Sequence, residues 1–136
     1  MLFVEMDMNP IFKGIDCISL KVGDLERAIA FYTGLGHELL WKTSTSAGLG
    51  FPDNNSELVI HNEQRPPGTD LLVESVPEAI KQFTQAGGQV IFGPVDIPIG
   101  SFAILSDPWN NPINILDLSK GQYTVDENKN VTGVGS

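Results

Sequence analysis

Asp24-Leu-Glu-Arg-Ala-Ile-Ala-Phe-Tyr-Thr-Gly-Leu-Gly36 decides the fold, because Ser75-Val-Pro-Glu-Ala-Ile-Lys-Gln-Phe-Thr-Gln-Ala-Gly87 repeats its pattern 51 residues later. At that offset Leu25 meets Val76, Ala28 meets Ala79, Ile29 meets Ile80, Tyr32 meets Phe83 and Gly36 meets Gly87. The apolar residues recur at helical spacing, a capping Asp24 or Ser75 precedes each set, and glycine closes it. Upstream, Ile18-Ser-Leu-Lys-Val22 lies over Thr69-Asp-Leu-Leu-Val73, and downstream Glu38-Leu-Leu40 lies over Gln89-Val-Ile91. Each copy reads as strand, helix, strand. Later the offset grows to 56, where Asn54-Asn55 meets Asn110-Asn111 and Ser56-Glu-Leu-Val-Ile60 meets Pro112-Ile-Asn-Ile-Leu116. Two copies make a domain with pseudo-twofold symmetry rather than a solenoid.

Working outward, residues 1–13 form an N-terminal arm, 14–63 the first module, 64–68 a proline-bearing linker, 69–118 the second module and 119–136 a polar C-terminal tail. Residues 14–118 constitute one structural domain. Thr43 to Gly50 and Gly93 to Gly100 read as loops, and the tail as loose or draped over a neighbour, since little in it is apolar. The chain has 136 residues, 41% of them hydrophobic, enough for a genuine core. Its net charge of -9 repels phosphate backbones and anionic lipid, which argues against nucleic-acid and membrane partners. A single cysteine allows no internal disulfide, and an acidic start is unlike a secretory signal, so the expected location is cytoplasmic.

With these features, Ile-Asp-Cys-Ile-Ser-Leu-Lys-Val-Gly-Asp-Leu-Glu-Arg-Ala-Ile-Ala-Phe-Tyr in the first copy resembles the opening of the glyoxalase, bleomycin-resistance and extradiol-dioxygenase group, the vicinal oxygen chelate superfamily. In the second copy, Asp-Pro-Trp-Asn-Asn-Pro-Ile-Asn is similar to that group's closing signature. The resemblance implies an α+β fold of two tandem βαβββ modules, whose curled mixed sheets enclose a cavity. In metal-using members that cavity holds one divalent ion on side chains from the first and last strands of each module. Carried over position by position, the expected ligands fall on Cys17, Leu58, Gly68 (or Asp70, if the strand slips by two) and Asn114. Leucine and glycine donate nothing, amide oxygen is weak and a lone thiolate does not hold the ion, so no metal and no other cofactor is expected. His37 and His61 read as surface or edge histidines.

Alternation places Cys17, Ser19, Leu58, Ile60, Asp70, Leu72, Asn114 and Leu116 on the cavity wall, with Ile18, Leu20, Leu71, Val73, Ile113 and Ile115 beneath the helices. Trp41, Phe51, Phe102 and Trp109 are placed to close over an aromatic ligand; Trp41, Phe102 and Trp109 join the expected ligand-binding set. Cys17 reads as an inert thiol, and no catalytic residue is assigned. Two functions of different class follow. One is a metal-independent protein that sequesters or senses a small aromatic or cationic compound, expected to be a homodimer. The other is a metal-dependent lyase, isomerase or dioxygenase, similar to lactoylglutathione lyase.

Overall fold

The computed structural model describes residues 9–135. Residues 1–8 of the expected N-terminal arm lie outside the described residues. The first module contains β1 (Gly14–Lys21), α1 (Leu25–Gly34), β2 (Leu39–Lys42), β3 (Ser46–Phe51) and β4 (Asn54–His61). The second repeats it as β5 (Gly68–Leu72), α2 (Val76–Gln85), β6 (Gln89–Ile97), β7 (Gly100–Ser106) and β8 (Pro112–Leu116). Both helices start as the capping residues predict: Asp24 accepts from the Arg27 amide at 3.1 Å and Ser75 from the Glu78 amide at 3.3 Å.

All eight strands form one open mixed sheet, in the order β2-β3-β4-β1-β5-β8-β7-β6. Within each module the first and last strands run parallel, and β1 meets β5 antiparallel at the centre. The central register pairs Cys17 with Asp70, Ile18 with Thr69 and Ser19 with Gly68. The pseudo-twofold axis therefore passes through Ile18 and Thr69, which are themselves 51 residues apart.

Each helix covers its own half of one sheet face. Leu25 and Ile29 bury against Ala47, Leu49 and Ile60; Val76 and Ala79 bury against Ala103, Leu105 and Ile115. The pairs Ala47–Ile60 and Leu49–Leu58 on β3 and β4 stand where Ala103–Ile115 and Leu105–Ile113 stand on β7 and β8. The offset is thus 56 residues for β3 and 55 for β4, one less than the Asn-Asn alignment implies. The two β-turns differ by that residue.

Several sequence expectations change as a consequence. Leu58 and Ile60 belong to the helix-side core and not to the cavity wall, because the one-residue error moves a strand's whole side-chain set to the other face. Ser46–Phe51 is a strand, not a loop: Ala47 and Leu49 alternate into the core, while glycines at 48 and 50 hid the period from view. β6 continues through the supposed loop as far as Ile97, past a bulged stretch with a cis Gly93–Pro94 bond. Ile18 is not covered by a helix but is 38% exposed, since it lies at the seam between the two helices. The C-terminal tail is ordered as β9 (Gln122–Val125) and β10 (Val131–Gly135), a two-stranded ribbon.

One buried carboxylate locks the second module. Asp117 is 1% exposed and accepts hydrogen bonds from the amides of Val76 at 2.7 Å, Ser101 at 3.0 Å and Ser119 at 3.2 Å. It ties the start of α2 to β7 and to the end of β8. Burial works against its charge, but these donors outweigh burial and hold the carboxyl below the usual range. Gly100 is required beside it, because a Cβ there would collide with the Asp117 backbone and carboxylate.

Candidate functional site on the helix-free face

The face that the helices leave free carries the chemistry. Register places Glu57, Cys17, Asp70 and Asn114 in one row across β4, β1, β5 and β8. Cys17 Sγ donates to Asp70 Oδ2 at 3.4 Å, and Asn114 Nδ2 donates to Asp70 Oδ1 at 3.3 Å. Ser19, behind the row, donates its hydroxyl to the Gly68 carbonyl at 3.3 Å. Asp16 joins them through a bulge between Ile15 and Cys17, which breaks the alternation of β1 and brings this carboxyl beside Cys17 and Asp70.

This row is short of positive charge. Asp16 is shifted up by burial and then by the Asp70 charge, and Glu57 by burial and then by Asp16, against the pull of its Trp41 hydrogen bond. Cys17 is raised by burial and by the carboxylates of Asp70, Asp16 and Glu57, so it remains a protonated thiol. The charges acting on these three groups are all carboxylates. A thiol held protonated in that setting is a weak nucleophile.

Aromatic groups flank the row on the first-module side. Trp41 Nε1 donates to Glu57 Oε1 at 2.8 Å, and its ring meets Tyr123 of the ribbon with centroids 4.8 Å apart. Gly48 makes this reach possible: a Cβ there would collide with the Trp41 indole. On the second-module side Phe92 and Phe102 face one another, centroids 6.3 Å apart, with Phe92 49% exposed. Leu116 lies beside Phe102 across β7 and β8 and is buried.

Of the residues expected at the site, Cys17, Ser19, Asp70 and Asn114 come together on this face, with Trp41 close by. Leu58 and Ile60 are on the other face. Trp109 is 78% exposed at the tip of the β7–β8 turn, away from the row. Leu72 borders a hollow of about 290 Å³ with Lys13, Val73, Glu74, Leu118 and Ser119. A larger hollow of about 520 Å³ runs beside α2. Neither encloses the row, because the sheet stays open instead of closing around a cavity. The residues the sequence did not offer are Asp16, hidden by the bulge, Glu57, hidden by the offset error, and Tyr123, which lies in the polar tail. His61, expected at the surface, is fully buried on the same face as Glu57; its Nδ1 accepts from the Glu63 amide at 3.2 Å and its Nε2 has no partner among the described residues.

Paired βαβββ modules around a central antiparallel seam define a small class of proteins. The chain belongs to the Glyoxalase/Bleomycin resistance protein/Dioxygenase superfamily, whose family model matches residues 14–115. Among solved structures it is similar to methylmalonyl-CoA epimerase from Mycobacterium tuberculosis, at 17% identity and a TM-score of 0.64, covering 82% of this chain and 92% of that one. It is also similar to the Mn(II)-bound glyoxalase from Novosphingobium aromaticivorans, at 17% identity and a TM-score of 0.55, over 78% of this chain and 39% of that one. The 2,3-dioxygenase LapB from Pseudomonas sp. KL28 aligns at 16% identity with a TM-score of 0.55, over 76% and 41% of the two chains. Likeness at such identity speaks to fold alone. No curated protein matches the sequence.

The family's metal can be tested against the donors present. The structural mate of Asn114 is Val59, at the 55-residue offset, and the mate of Cys17 is Gly68. Two of the four symmetric positions therefore carry no donor. Asn114 turns its N–H toward Asp70, and Cys17 keeps its proton. Among the described residues no three His, Cys, Asp or Glu side chains converge as a metal set. These residues do not fit a divalent metal centre at that place. No helix among the described residues is long and apolar enough to cross a membrane.

Proposed function

We propose that the helix-free face binds a small organic cation without a metal. The observation that carries this reading is the row of Glu57, Cys17 and Asp70 across β4, β1 and β5, with Asp16 next to it on the bulge and the indole of Trp41 hydrogen-bonded at one end. Like charges held in a partly desolvated row repel, and an entering cation relieves that repulsion. An ammonium above an indole or phenol face gains a further cation–π attraction, about 0.5–2 kcal/mol according to exposure. The overall charge of -9 draws such a ligand in. Glu57 and Asp70 serve as counter-charges, Trp41 and Tyr123 as ring walls, and Asn114 as the group that orients Asp70 through its amide N–H.

Thermal-shift titration in excess chelator tests the reading, with benzyltrimethylammonium and a neutral isostere as probes. Stabilisation by the cation alone, lost in Asp70→Asn, supports it; a stoichiometric divalent ion retained by the purified protein, required for any stabilisation, overturns it. That second result would favour the alternative, a metal-dependent lyase, isomerase or dioxygenase that draws donors from elsewhere. A homodimer remains part of the proposal. The exposed Ile91, Phe92 and Val95 offer it an apolar surface, and sedimentation velocity is the check.

A further inference from the structure

The ribbon of β9 and β10 pairs with itself and contributes no residue to either buried cluster. A lone two-stranded ribbon is marginal in water, so its place depends on what it leans against. Here it leans on β2. Tyr123 packs its ring on Trp41, the Lys42 amide donates to the Lys129 carbonyl at 2.8 Å, and Lys42 and Asn130 form an isolated bridge. The ribbon's tip is internally braced: Asp126 accepts from the amides of Asn128 at 2.8 Å and Asn130 at 2.9 Å. Gly121, with φ of 119°, sits at its base, where only glycine turns easily.

The plate it rests on has a second attachment. The same Trp41 indole donates from Nε1 to Glu57, over Gly48, where a Cβ would push the ring away. Trp41 therefore has one partner in the carboxylate row and one in the ribbon. We infer that the C-terminal ribbon is a strap over the first-module half of the helix-free face, latched by Tyr123 on Trp41 and released when Glu57 lets go of the indole. Segments with few buried apolar contacts open at low free energy, which makes the strap, and not the eight-stranded sheet, the moving part. The inference goes beyond cation binding and does not need a ligand to be tested.

Hydrogen exchange measured by mass spectrometry on the full chain is the test. In Tyr123→Ala, amides of residues 122–135 are expected to exchange about tenfold faster, while Tyr123→Phe, which keeps the ring, stays near wild type. Glu57→Leu, which removes the indole's acceptor, is expected to loosen the same amides, and Glu57→Gln, which keeps an acceptor, to leave them protected. Peptides across β1, β5 and β8 are expected to be unchanged throughout. A ribbon that stays protected in Tyr123→Ala overturns the latch. A ribbon loosened by Tyr123→Ala but not by Glu57→Leu overturns the coupling through Trp41. Should Glu57→Leu loosen the whole sheet, Gly48→Ala breaks the same contact while keeping the acid, since its Cβ would displace the indole and crowd the Glu57 carboxylate; it must then loosen the ribbon, and failure to do so overturns the coupling equally.

Discussion

The two modules agree beneath their helices and disagree on the other face. Ala47, Leu49 and Ile60 have Ala103, Leu105 and Ile115 as mates, nearly identical in size and all buried. On the free face the mates are Cys17 and Gly68, Ser19 and Asp70, Gly48 and Ile104, Glu57 and Pro112, Val59 and Asn114. Packing against a helix demands volume, and both halves answer with the same volumes. The free face has no such demand, so its residues are set by whatever the face contacts. That contrast points to the free face as the functional one.

Substitutions in the core are expected to have the strongest effects. Ile60→Ala and Ile115→Ala are expected to cost about 2–5 kcal/mol each, and similar amounts, by urea denaturation. A large inequality would mean that the modules do not share one packing plan. Next comes the lock found only in the second module. Asp117→Ala leaves buried amides of Val76, Ser101 and Ser119 without an acceptor, for an expected loss of about 3 kcal/mol. Because the native carboxyl is held below its unfolded pKa, its contribution is present above about pH 4 and is lost as pH falls further.

Smaller effects sharpen the contrast on the free face. Gly48→Ala is expected to cost about 1–3 kcal/mol through the clash with Trp41, and to shift tryptophan emission even in a Trp109→Phe background. His61 supplies a pH dependence confined to the first module. Burial first, then Arg65, lowers its pKa, so the unfolded chain takes up a proton below about pH 6.5 that the native ring does not. Stability is therefore expected to decline as pH falls from 6.5, and His61→Gln to flatten that part of the Tm-against-pH curve.

How much of this was legible in the sequence follows the same division. The helix repeat, its caps and the 51-residue offset could be read directly, because Leu25, Ile29, Val76 and Ala79 advertise their buried side by spacing. β3 was not legible, since Gly48 and Gly50 erase one of its faces. The free face was read in part. Cys17, Asp70 and Asn114 fell where alternation put them, but Glu57 went to the wrong side on a single turn residue, and period-two patterns forgive no such slip. Asp16 required a bulge and Tyr123 required a tertiary contact across some eighty residues of chain. Neither leaves a local signal.

Metal-free binding of an organic cation by the carboxylate row and Trp41 can be followed through indole N–H resonances during titration with benzyltrimethylammonium in chelator. Cation binding is expected to move the Trp41 Nε1–H signal saturably while that of exposed Trp109 stays still. A Trp41 signal that is unmoved at saturation, or that moves only after a divalent ion is added, would contradict it.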